Sequence, residues 1–220
     1  MIVDSMTFSD ISYELLLDWW NNGKGKAEGL INKKQKRKAI LQHGKNNEAQ
    51  YFRSVEFTTK CNNTFVVVPY SNGRSHYKKY GLQTTVFCMF HYQGRLIVGR
   101  LMSNFTSVML FEGHVFKRYC ERFSKVEGLV TKEMVKKFFK DNLLIHNKPQ
   151  VVEREDSDLI CKIADGILFG KIINNWTVLY KTYITMDMAK GKQVELMESL
   201  GKYQQQRYLE LLGRPIPNAA

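Results

Sequence analysis

From Tyr51 to Phe111 apolar side chains recur in short runs with a period of two, the spacing of strands whose alternate residues face a core. The runs predict strands over 51–59, 64–70, 84–92, 95–102 and 105–111. They are separated by Asn62-Asn63, Ser71-Asn72-Gly73, Gln93-Gly94 and Ser103-Asn104, which tolerate positive φ. Links this short predict an antiparallel meander. Later strand-like runs fall at 150–154, 158–163 and 167–173, with Asp165-Gly166 as a hairpin turn. A last strand is predicted over 176–185, with Trp176, Val178, Tyr180 and Ile184 on one face and Lys181 and Tyr183 on the other.

Helical spacing frames these strands. Residues 9–20 (SDISYELLLDWW) read as an amphipathic helix capped by Ser9 or Asp10 and ended by Asn21-Asn22-Gly23. A helix over 131–142 opens on Thr131, and a long one over 187–212 stops at Gly213 before Pro215. Between the two sets a helix opens on His114. At ~100° per residue, His114, Arg118, Glu121 and Arg122 fall within about 100° of arc, opposite Val115, Phe116, Tyr119, Cys120 and Phe123. The fold class is α+β: a mainly antiparallel sheet with helices packed on one face. A basic helical segment over 1–48 precedes a core domain over 49–220.

Composition adds a partner. The 220 residues are 44% hydrophobic and 12% aromatic, values of a folded globular chain that do not indicate disorder. Thirty-three Lys and Arg against 21 Asp and Glu give +12. Ten of those cations, against three glutamates, lie within residues 24–60. Such a concentration suits a polyanion, because neutralising phosphates releases counterions. Lys33, Lys34, Lys36, Arg37 and Lys38 are candidate nucleic-acid contacts, as are Arg74, Lys78 and Lys79 in the predicted polar loop RSHYKK. RNA is expected before DNA. Trp19 and Trp20 are read as core packing or a contact with a protein partner, with base stacking as the alternative.

Cys61, Cys88, Cys120 and Cys161 lie far apart in apolar runs, as reduced thiols of a cytoplasmic protein would. No Cys/His spacing matches a metal site, no cofactor motif is present, and no run is long enough to span a bilayer. Glu153, Glu155, Asp156 and Asp158 form a local acidic cluster, read as solvent-facing. His91 is expected to be half-buried in the core, and His43, His76 and His146 to lie in polar loops.

Metal-free RNA cleavage needs a base for the 2′-hydroxyl proton, an acid for the leaving oxygen and cations for the phosphorane. Imidazole suits either proton role, and the arginine fork holds two phosphate oxygens. His114, Arg118 and Arg122 have the spacing to meet one phosphate, with Lys181 arriving from the last strand and Glu121 orienting the histidine or pairing with an arginine.

A strand running into a helix with H-x3-R-x3-R, followed by a late strand with Lys181-Thr182-Tyr183, resembles the small RelE/barnase-like ribonuclease toxins, in particular their BrnT-like relatives. The likeness covers 105–123 and more weakly 163–185. It implies His114, Arg118, Arg122 and Lys181 as catalytic or phosphate-contacting residues. Residues 1–80 have no counterpart in it, and the polar arc of the helix requires another element to complete a cleft. The expected function is nucleic-acid binding, extending to metal-independent endoribonuclease activity of toxin or mobile-element type. The alternative is a non-catalytic nucleic-acid-binding or assembly protein that works through its basic surface.

Overall fold

The computed structural model describes residues 2–31, 37, 49–102, 105–124, 128–142 and 159–189, the side chains of Phe123 and Ser124 excepted. Helix α1 (Phe8–Asp18) runs through a π turn (Trp19–Gly23) into α2 (Lys24–Leu30). The strands are β1 (Gln50–Tyr51), β2 (Val55–Thr58), β3 (Thr64–Ser71), β4 (Gln83–Tyr92), β5 (Arg95–Leu101), β6 (Val108–Glu112), β7 (Leu159–Ile163), β8 (Gly166–Asn174) and β9 (Thr177–Thr185). Helix α3 (Arg74–Tyr80) joins β3 to β4, and α4 (Gly113–Tyr119) follows β6 and widens into a second π turn (Cys120–Ser124). Helix α5 (Lys132–Asp141) comes next, and a 3-10 turn (Met186–Met188) follows β9.

The protein is α+β. One mixed, mostly antiparallel sheet has the order β1-β3-β4-β5-β6-β9-β8-β7, with β2 also on β3. Its one parallel contact among the described residues is β6 with β9. The meander β3–β6 follows the predicted runs closely. The run at 51–59 becomes two pieces of one edge strand, β1 and β2, both antiparallel to β3.

Helices cover both faces of the sheet, correcting the expected one-sided packing. On one face Val66, Phe87, Val98 and Phe111 meet Val115, Phe116 and Tyr119 of α4 and Val135, Phe138 and Phe139 of α5. On the other, Phe65, Val67, Val86 and Leu110 meet Ile11, Leu15 and Trp19 of the N-terminal helix. The physical reason lies in the central strands. Val66, Val67 and Val68 are all buried, as are Val108 through Phe111, so both faces need cover. Each fully buried Phe contributes roughly 2–3 kcal/mol, and edge-to-face pairs such as Phe116–Phe138, with centroids 5.1 Å apart, add specificity.

Two local devices set where side chains point. The N-cap of α1 is Thr7, whose hydroxyl accepts from the Asp10 amide, and not Ser9 or Asp10. Asn21-Asn22-Gly23 does not end the helix but passes through the π turn into α2. In β9 the pairing slips between Phe169–Thr182 and Gly170–Tyr180, leaving Lys181 as an extra residue. A Cβ at Gly170 would strike the Leu179 carbonyl, so the slip needs glycine there. The slip puts Tyr180 and Tyr183 in the same core cluster and breaks the predicted pairing of Lys181 with Tyr183 on one face. The long helix expected from Asp187 shows only the 3-10 turn before residue 190, and its remainder lies outside the described residues, as does the run at 150–154.

Candidate functional site

Helix α4 starts directly at the C-terminal end of β6. Its first exposed side chain is His114. The cleft that the polar arc of α4 lacked is supplied by the β4–β5 hairpin and by residues 128–130. A cavity of about 810 Å³ is lined by His114 and Lys117 of α4, His91 of β4, Arg95 of β5 and Glu112 of β6, with Met89, Leu129 and Val130 as apolar wall. His91 is exposed there, not half-buried in a core.

The predicted quartet does not assemble as one site. Arg118 donates Nε–H to His114 Nε2 at 3.2 Å, and its guanidinium lies 3.8 Å from Glu121. Glu121 thus pairs with arginine, and at 3.9 Å with Lys117, while His114 is oriented by Arg118. Arg122 is turned away: its Nη1 donates to the Tyr183 carbonyl at 2.6 Å. The cause is the π turn, whose wider winding takes Arg122 off the line of His114 and Arg118. Lys181 lies on the opposite face of the sheet from α4, because the slip in β9 sends it to the side of Leu179. There it lines a second cavity of about 300 Å³ with Lys171, Arg95 and Glu112, and the last two line the histidine cleft as well.

At the other end of β4 the predicted loop RSHYKK is the helix α3, set between Gly73 (φ 88°) and Gly81 (φ 71°). Those two glycines open and close the seven-residue helix, with Tyr77 N–H bonded to Gly73 O and Gly81 N–H to Tyr77 O. Arg74, Lys78 and Lys79 are exposed on it. Arg37, Arg74, Tyr77 and Lys78 line a cavity of about 530 Å³. Arg37 and the α3 cations, distant in sequence, therefore line one cavity. His76 stacks near Tyr80 at 4.8 Å, and burial lowers its pKa. Lys33, Lys34, Lys36 and Lys38 lie outside the described residues, as do His43, His146 and the acidic cluster at 153–158.

Other chemistry is limited by burial. The Cys88 and Cys161 thiols are pushed up to about 12 by their surroundings, which keeps them protonated and poor nucleophiles. Among the described residues no three His, Cys, Asp or Glu side chains gather to hold a metal ion, and no helix is long and apolar enough to cross a membrane. Trp19 is core, at 2% exposure. Trp20 is half exposed, with its indole N–H on the Phe105 carbonyl and Lys24 4.4 Å over its ring.

Sequence reasoning passed over His91, Arg95 and Lys117. The signal was positional: His91 and Arg95 flank the Gln93-Gly94 turn of the β4–β5 hairpin. No family model matches this chain, and neither a curated protein nor a solved structure matches it.

Proposed function

We propose that this protein binds RNA and cleaves it without a metal ion in the cleft of His91 and His114. The observation that carries this reading is the convergence of two imidazoles with Arg95 and Lys117 on one open cavity. One histidine takes the 2′-hydroxyl proton as the 2′-oxygen bonds to phosphorus. The other gives a proton to the 5′-oxygen as its bond to phosphorus breaks, leaving a 2′,3′-cyclic phosphate and a 5′-hydroxyl. Arg95 and Lys117 face the charge that develops on the phosphorane. Arg118 holds Nε2 of His114 in the free protein; a bound phosphate competes for that guanidinium and releases the nitrogen to act as base. The likeness of the strand and His114 helix to RelE/barnase-like toxins points the same way.

The test is labelled single-stranded RNA in EDTA. Cleavage is expected with the wild type and lost in His114→Ala and in His91→Ala, with affinity changed less than about twofold. Intact RNA under all conditions would reject the enzyme.

A second reading, non-catalytic nucleic-acid binding, is favoured by the patch of Arg37, Arg74 and Lys78 with Tyr77 beside it. Cations interleaved with aromatic rings can hold a strand without reading its sequence. That reading predicts binding that weakens steeply with salt and no product at any time point.

A further inference from the structure

The cavity of Lys171 and Lys181 has a composition that the histidine cleft does not explain. Arg95, Lys171 and Lys181 line it with a single carboxylate, Glu112, so the wall carries an excess of two positive charges. Among the described residues none of these three cations makes an ion pair. Gathering like charges unneutralised around about 300 Å³ is unfavourable until an anion joins them. The rest of the wall is apolar and includes Phe8, Ile173 and Leu179. Phe8 packs against Tyr92 at 5.3 Å, and the Tyr92 hydroxyl donates to the Met6 carbonyl at 2.6 Å. Cations together with apolar and aromatic side chains on one cavity match a phosphate attached to a sugar and base.

The position of the cavity says which phosphate. Arg95 and Glu112 line both this cavity and the histidine cleft, so the two are neighbours across the end of β5 and β6. We infer that the Lys171–Lys181 cavity is a subsite for the nucleotide next to the scissile bond, holding its phosphate on Lys171, Lys181 and Arg95 and its base or sugar against Phe8. The inference rests on the reading of the histidine cleft as a phosphodiester site. It assigns to Lys181 a substrate-positioning role instead of a catalytic one. The glycine-dependent slip in β9 is the device that turns Lys181 into this cavity.

The test uses the full chain, an uncleavable 2′-O-methyl tetraribonucleotide and adenosine 5′-monophosphate, with affinity read by calorimetry. Lys171→Ala/Lys181→Ala is expected to weaken the tetranucleotide about tenfold or more, as loss of two charge-assisted contacts should. The charge-matched Lys137→Ala/Lys140→Ala is expected to change it less than about twofold. Both target lysines are half-exposed, so the double variant should keep the wild-type unfolding midpoint. An unchanged tetranucleotide affinity, or an equal loss in the charge-matched variant, overturns the inference. If the monophosphate binds as tightly as the tetranucleotide and is lost with it, the cavity takes a free nucleotide and the strand assignment is overturned. Absence of RNA cleavage with a selective loss in the double variant would remove the proposed enzyme and leave this binding site standing.

Discussion

Arg118 donates its Nε–H to Nε2 of His114 across one helical turn, at 3.2 Å. The nitrogen that a base needs is therefore engaged in the free protein, and the arginine that engages it lies on the same polar arc of α4. The arrangement predicts two separable effects. His114→Ala should abolish cleavage and spare affinity. Arg118→Ala frees the nitrogen yet removes a cation from the phosphate, so cleavage should fall by about 10²-fold. The slope of log affinity against log salt should drop by about one phosphate contact. Titrating a labelled RNA across salt concentrations measures both variants. An unchanged slope in Arg118→Ala would remove this arginine from the interface.

The α3 patch makes a different forecast, since phosphate contacts from its cations would carry no sequence information. In Arg74→Ala/Lys78→Ala two cations leave the cavity shared with Arg37. Affinity should weaken by similar factors on RNAs of unrelated sequence, with the salt slope reduced by about two. Fluorescence anisotropy on three sequences is sufficient. A loss confined to one sequence would mean that the patch recognises bases.

How far the sequence disclosed this molecule depended on the range of each interaction. The strands β3 to β6 were legible because period-two alternation and turn residues are local properties, and Thr131 announced α5 for the same reason. The parallel pairing of β6 with β9 was not, since Val108 meets Thr177 across a separation that no local pattern encodes. The two-sided cover was written in the unbroken apolar runs of β3 and β6, which alternation-based reading passes over. The candidate site failed at its finest scale. A π turn moved Arg122 and a one-residue slip moved Lys181, and each displaces a side chain by a fraction of a turn or one face of a strand.

Asp18 is 2% exposed and ties the π turn of the N-terminal helix to the β2–β3 hairpin. Its carboxylate accepts from Asn22 Nδ2 at 2.8 Å, Thr59 Oγ1 at 2.5 Å and Asn63 Nδ2 at 2.8 Å. Burial alone would raise its pKa; the hydrogen bonds outweigh that and hold it below the usual carboxylate value. A depressed folded-state value gives stability that is fully present above the unfolded pKa of about 3.9 and is lost as pH falls through the folded one. Asp18→Ala leaves three donors without their acceptor and should cost about 3 kcal/mol at pH 7. Urea unfolding of both proteins at pH 7 and pH 3 should show the gap narrowing in acid. A gap independent of pH would mean that the carboxylate charge contributes nothing.

Gly99 of β5 sits under Leu15, and a Cβ built on it would come 2.6 Å from Leu15 Cδ1. Leu15 is itself fully buried, so its methyl has little room to withdraw. Gly99→Ala should therefore overpack this contact and cost roughly 1–3 kcal/mol. Leu15→Ala alone should cost about 2–5 kcal/mol through the cavity it leaves. Combined, the two changes compensate, because the alanine methyl enters the space that leucine vacated. The double variant should be more stable than the sum of the single costs predicts, with a coupling of about 1 kcal/mol or more. Simple additivity would show that α1 slides along the sheet to relieve the clash. In that case the position of Phe8 at the Lys171–Lys181 cavity would shift with it, and nucleotide affinity should fall in Gly99→Ala alone.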